Sequence, residues 1–135
     1  MWAAVAEGGV LIVEDADFDG WCYDPPNEGL ELFLDAYRKV LARRGGDDAI
    51  GRRLYRLFLA AEIPDPQVSL VQGVHEGEAK MLAWSTLEAT ADAIISERLA
   101  APGEITAALA SLRRFTEDSR TLICGPRVFQ VWSRR

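Results

Sequence analysis

The side chains best equipped for chemistry lie together in Glu14-Asp15-Ala16-Asp17-Phe18-Asp19-Gly20. Carboxylates at alternate positions, followed by a glycine, match the opening of a calcium-binding loop, where oxygen ligands recur along a sharp turn. The match stops there. Such a loop ends on a bidentate glutamate at its twelfth position, and counting from Asp15 that position holds Pro26. The residues before Asp15 are also strand-forming, whereas the calcium loop is entered from a helix. What remains is a set of acidic groups at a strand end, facing solvent or a cleft, and no metal site is expected.

His75 is the only histidine. At the end of a second expected strand it has the ionisation range for a general base or a substrate contact. Its neighbours Glu76 and Glu78 equally suit an ordinary surface position. Trp21, Tyr23 and Trp84 offer an apolar pocket wall, although aromatic residues at such spacing more often build core. Cys22 and Cys124 stand far apart without the paired spacing of a metal knuckle. Each reads as a small buried or half-buried thiol in a reducing compartment. Gly45-Gly46 and Gly51 lie between helical segments, so no glycine loop cradles a phosphate, and no nucleophile triad is recognisable.

The element that must position the carboxylates is Gly8-Gly9-Val10-Leu11-Ile12-Val13. Consecutive aliphatics rich in β-branched residues, bounded by turn signals, predict a strand over 9–15 buried on both faces, as in parallel sheets covered by helices. Ligands collect at the carboxyl ends of such strands, where Glu14, Asp15 and Asp17 would sit. Before this strand, residues 1–7 read as the tail of a helix. After it, Asp24-Pro25-Pro26-Asn27 signals a turn with Asn27 as N-cap. Leu30, Phe33, Leu34, Tyr37, Val40 and Leu41 then mark an amphipathic helix stopped by Gly45.

A second helix, capped near Asp47 or Asp48, carries Ile50, Leu54, Leu57, Phe58 and Ala61 and ends before Pro64 and Pro66. A strand is predicted over 68–74 and a long helix over 76–99, with Met81, Trp84, Leu87, Ala91, Ile94 and Ile95 on one side. Pro102-Gly103 breaks it. Ile105, Leu109, Leu112 and Phe115 mark a fourth helix. Thr121–Gly125 and Arg127–Trp132 close the chain as a strand pair or one bent strand interrupted at Gly125-Pro126.

Composition bounds the partners. The 135 residues suit one domain, and 49% apolar content excludes disorder. A net charge of −6 argues against nucleic acid, which needs a concentrated positive surface. The local arginines Arg43, Arg44, Arg52, Arg53 and Arg56, and again Arg134 and Arg135, read as solvated faces. No apolar run reaches membrane-spanning length, and Met1-Trp2-Ala3-Ala4-Val5-Ala6-Glu7 lacks the basic start of a signal peptide. A cytoplasmic chain without membrane or nucleic-acid partners is the expectation.

The acidic end of the first strand resembles the start of receiver domains, but that family needs a later strand-end aspartate and lysine. Here Gly51–Ile63 is helical and arginine-rich, and Lys80 falls in a helix. A broader resemblance covers nearly the whole chain. In order, Gly8-Gly9-Val10-Leu11-Ile12-Val13-Glu14-Asp15-Ala16-Asp17, the segment Leu41-Ala42-Arg43-Arg44-Gly45-Gly46-Asp47-Asp48-Ala49-Ile50-Gly51-Arg52-Arg53-Leu54, and Gly125-Pro126-Arg127-Val128-Phe129-Gln130-Val131-Trp132 resemble the C-terminal half of class I S-adenosylmethionine-dependent methyltransferases acting on small molecules.

That resemblance implies an α/β, partial Rossmann-like methyltransferase fold, with about three strands and four or five helices. A glycine-led fifth strand carries the acidic end, a sixth strand follows, and an antiparallel last strand slots between them. Residues 76–116 become a helical insertion over the substrate cleft. By position Glu14, Asp15, Asp17 and Trp21 face the substrate side, with His75 reaching it from the insertion. S-adenosylmethionine is the implied cofactor. The family's glycine-rich loop and ribose-binding acidic residue precede anything here, so no cofactor-binding residue is carried over, and the chain is expected to be inactive alone. With the strand at 10–14 lacking its far-side neighbour, a homodimer is expected. The rival class is a non-catalytic small-molecule-binding or assembly module, using apolar faces of helices 76–100 and 104–116.

Overall fold

The β-branched segment after Gly9 does form a strand, β1 (Val10–Asp17), which extends four residues beyond its aliphatic run and two beyond the predicted end at residue 15. The computed structural model describes all residues from Met1 to Arg135. The remaining elements are β2 (Cys22–Asp24), α1 (Glu28–Arg43), α2 (Ile50–Ala60), β3 (Gln67–His75), α3 (Met81–Ser96), α4 (Pro102–Glu117) and β4 (Leu122–Arg134). The fold is α/β. In its four-stranded sheet β4 pairs with β1, with β2 and with β3. The β1–β4 and β2–β4 ladders are antiparallel: Val10 faces Arg134 and Asp17 faces Arg127, while Cys22 faces Cys124 and Asp24 faces Leu122.

Two expectations are thereby corrected. The ladders of β1 and β2 are not those of a parallel sheet, and β1 is not buried on both faces. Val10 is 41% and Ile12 60% exposed, because α2 covers one face of β1 and nothing in the chain covers those side chains. The last segment is one strand running through Gly125-Pro126, and β2 lies where only a turn was expected. A single 3-10 turn (Trp2–Ala4) replaces the expected N-terminal helix tail. The long helix predicted from 76 starts instead as a 3-10 turn over Gly77–Lys80 and becomes α-helical at Met81.

Contacts divide the chain into two compact units. The first comprises Met1–Gly20, Asp48–Gly73 and Pro126–Arg135. Leu54, Phe58, Ile63 and Val131 are its buried apolar residues, with Leu11, Val13 and Phe129 packed against them. Leu57, expected on the buried stripe of α2, is exposed. The close seating of α2 on β1 depends on Gly51. A Cβ there would stand 2.6 Å from the Asp15 carbonyl oxygen and 2.8 Å from that of Ala16. The terminal arginines hold the N-terminal segment: Arg135 Nη1 donates to the Val5 carbonyl at 2.6 Å and to that of Ala3 at 3.1 Å.

The second unit comprises Trp21–Asp47 and Val74–Gly125. Here α1, α3 and α4 pack on one another and enclose Leu30, Phe33, Leu87, Ile94, Leu112 and Ile123. Asn27 caps α1, accepting from the Leu30 amide at 3.0 Å, and its side-chain amide donates to Ser111 Oγ at 3.1 Å. Gly45, at φ +76°, follows the Arg44 cap and ends the helix in the left-handed conformation that glycine favours. The Lys80 side chain is 1% exposed. Its ammonium donates to Asp118 O at 2.7 Å, Phe115 O at 3.1 Å and Thr121 Oγ1 at 2.6 Å. These acceptors satisfy a buried cation without a carboxylate and fasten the chain beyond α4.

Candidate functional site

The carboxyl end of β1 is built from three elements of the first unit. β1 supplies Asp15 and Asp17, the following 3-10 turn (Phe18–Gly20) supplies Asp19, and the first turn of α2 supplies Arg52. Register adds a fourth element, since Arg127 on β4 lies directly opposite Asp17. The Phe18 amide donates to Asp48 O at 2.9 Å, joining the turn to the approach of α2.

Asp17 is 1% exposed and fully engaged. Arg52 grips it with Nε on Oδ2 at 2.8 Å and Nη2 on Oδ1 at 2.5 Å. Arg127 Nη2 stands 3.3 Å from Oδ2, and the Asp19 amide donates to Oδ1 at 3.2 Å. Burial pushes the Asp17 carboxyl up. The Arg52 hydrogen bonds, the Asp19 amide and the nearby guanidinium charges outweigh it and hold the group below the usual carboxylate range. Arg52 also binds Asp19 Oδ2 at 2.7 Å, and the Asp17 and Asp19 contacts raise its already high pKa. A carboxylate held ionised by two guanidiniums neither takes nor gives a proton near neutrality. Asp17 therefore acts as a brace between β1, α2 and β4.

Asp15 is exposed, and its Oδ1 accepts from the Ala16 amide at 2.8 Å, which leaves carboxylate lone pairs facing solvent. Trp21 and His75 belong to the second unit. The Trp21 ring meets Phe33 edge-on, centroids 5.7 Å apart, as part of the apolar packing there. His75 is half-buried at the end of β3, where a Cβ on Gly125 would lie 3.4 Å from its Nε2. The four expected substrate contacts thus fall two in each unit. Asp15 and Asp17 share β1, whereas Trp21 and His75 come from separate segments of the other unit.

Arg52 and Arg127, the partners that decide the state of Asp17, were not picked out as site residues by the sequence reading. Arg127 opposite Asp17 follows only from the β1–β4 register. Arg52 carried no signal beyond its place in an arginine-rich helix. An apolar groove of about 560 Å³ also opens in the first unit, lined by Trp2, Leu11, Val13, Leu54, Phe58 and Ile63. No group of three or more His, Cys, Asp or Glu side chains is arranged to hold a metal ion. No protein-family model matches the chain, and no curated protein matches it.

Proposed function

We propose that this chain is a methyltransferase-like α/β protein of the class I, S-adenosylmethionine-dependent kind. Within that class it serves small-molecule substrates, contributing the substrate-side portion of the fold rather than the cofactor-binding portion. The observation that carries the reading is the placement of β4. It is the last strand, it pairs antiparallel with β1 and it also pairs with β3, which is the part of the family's pattern this sheet shares, whereas the antiparallel β2–β4 ladder departs from it. The acidic end of β1 supports the same reading, with Asp15 free to meet a polar substrate while Asp17 fixes the strand end.

The residues present do not fit the cofactor. Its phosphate-free sulfonium nucleoside needs a close backbone approach at a strand-to-helix glycine turn and an acidic ribose contact, as dinucleotide folds do. Gly8 and Gly9 precede β1, Gly45 and Gly46 connect two helices, and Gly51 is spent on packing against β1. Reaction steps therefore do not run through residues of this chain alone. The contribution of Asp15 is to orient a polar substrate at the end of β1; Trp21 and His75 lie in the other unit and are not assigned to that site.

A homodimer belongs to the same proposal. β1 has a paired edge on β4 and no strand on its other edge, and no lysine or proline within Val10–Asp17 blunts it. Antiparallel pairing about a two-fold axis would satisfy both copies. A second reading, a non-catalytic assembly module, is favoured by the exposed apolar side chains of the first unit: Val10, Ile12, Val68, Leu70 and Val71. The helical faces first considered for that role are occupied by packing among α1, α3 and α4.

The deciding experiment titrates the purified chain calorimetrically with S-adenosylmethionine. The reading expects no binding by these residues, and a micromolar dissociation constant would overturn it by showing a cofactor site within the chain.

A further inference from the structure

The two cysteines of this chain, 102 positions apart in sequence, are brought face to face by the sheet. β2 pairs antiparallel with the start of β4, and in that ladder Cys22 is the direct partner of Cys124. Between them and the ladder's end, Tyr23 faces Ile123. Ile123 is buried and Tyr23 packs against the helical core. Since side chains alternate across a strand, the two thiols share the opposite face, away from that core. Both are free, Cys22 exposed and Cys124 half-buried.

We propose that Cys22 and Cys124 form a reversible, peroxide-sensitive dithiol that closes into a disulfide between β2 and β4. Directly opposed residues of an antiparallel ladder have Cα atoms about 4.5–5.5 Å apart, within the roughly 4.4–6.8 Å that disulfides span. The backbone thus permits the bond without moving the strands apart or together by more than a small adjustment. The thiol of Cys124 is already hydrogen-bonded to Cys22, which, together with burial, pushes its ionisation up. Cys22, open to solvent, is the sulfur that meets the oxidant.

The chemistry balances with hydrogen peroxide as oxidant. The Cys22 thiolate attacks one peroxide oxygen; an S–O bond forms, the O–O bond breaks, and the departing hydroxide takes a proton to become water. Cys124 then attacks the Cys22 Sγ as its thiolate; the S–S bond forms, the S–O bond breaks, and a second water leaves. Two thiols lose two electrons in all, and the peroxide gains them. A dithiol reductant reverses the process by exchange. The bond would pin the short β2, and with it the segment leading into α1, to the central strand.

The test is treatment of the purified full chain with equimolar hydrogen peroxide, alkylation of remaining thiols, and peptide mapping without reduction. The expected result is simultaneous loss of both alkylation sites and a cross-linked peptide pair lighter by two hydrogens. The chain should keep its single-chain mobility on a non-reducing gel, and dithiothreitol should restore both thiols. Cys124→Ser should leave a sulfenic acid at residue 22 that dimedone traps. Cys22→Ser should slow oxidation of Cys124 by on the order of tenfold. Cross-links only between chains, or sulfinic acid at Cys22 with Cys124 still alkylatable, would overturn the proposal.

Discussion

The two compact units solve the same problem differently. In the second, the apolar stripes of α1, α3 and α4 close on one another, and Leu30, Leu87 and Ile94 lose all contact with solvent. In the first, α2 covers only one face of β1, and the buried apolar set shrinks to Leu54, Phe58, Ile63 and Val131. Val10 and Ile12 on β1, with Val68, Leu70 and Val71 on β3, are left exposed. The difference is whether the covering element belongs to the chain. A helical hairpin carries its own cover, whereas a strand with aliphatics on both faces needs a second layer.

That contrast predicts unequal responses to substitution. The largest is expected at Leu87, which is 0% exposed at the centre of the helical core. Leu87→Ala removes buried methylenes and leaves a cavity, so chemical denaturation should show a loss of roughly 2–5 kcal/mol. A loss below about 0.5 kcal/mol, the range of surface changes, would mean that α3 is not enclosed and that the two units do not differ as described.

The brace at Asp17 should give the next largest effect. Asp17→Asn keeps the shape but replaces charge-assisted hydrogen bonds to Arg52 and Arg127, costing about 1.5–3 kcal/mol, less because Arg52 is partly solvated. The effect carries a pH signature. The folded carboxyl lies below its unfolded value, so its stabilisation is complete above the ordinary carboxylate range near about 4. It is lost as pH falls through the lower folded value. Stability curves of the wild type and Asp17→Asn should therefore converge on acidification. Parallel curves would show that Asp17 is not held ionised by its guanidinium partners.

How much of this was legible in the sequence follows the same division. Helical periodicity located α1 and α4 and most of the α3 stripe, and Asn27 announced its own cap, because these signals are local and the helices are covered from within. β1 was also legible as a strand. Its environment was not, since burial on both faces depends on a neighbour that no local pattern reveals. β2 escaped because three residues beside Pro25-Pro26 read as a turn, and with it went the Cys22–Cys124 pairing, which exists only as a register. The site shows the same limit. The acidic strand end was visible from residue types, but the fact that Asp17 is locked while Asp15 is open depends on Arg52 and Arg127, brought in by packing and by strand pairing.

The smallest effect on stability should accompany the clearest effect on assembly. Ile12 is 60% exposed on β1, opposite Trp132, with no strand on the outer edge of β1. Ile12→Lys removes little buried area, so its unfolding free energy at a concentration where the chain is monomeric should change by no more than about 0.5 kcal/mol. If two copies pair along β1, the same substitution places like charges close to the two-fold axis and desolvates them, which an interface does not tolerate. Light scattering coupled to size-exclusion chromatography should then read a dimer for the wild type and a monomer for the variant. A wild-type monomer at micromolar concentration would remove the dimer from the proposal. A dimer unaffected by Ile12→Lys would place the contact on another exposed part of the first unit, such as the apolar face of β3.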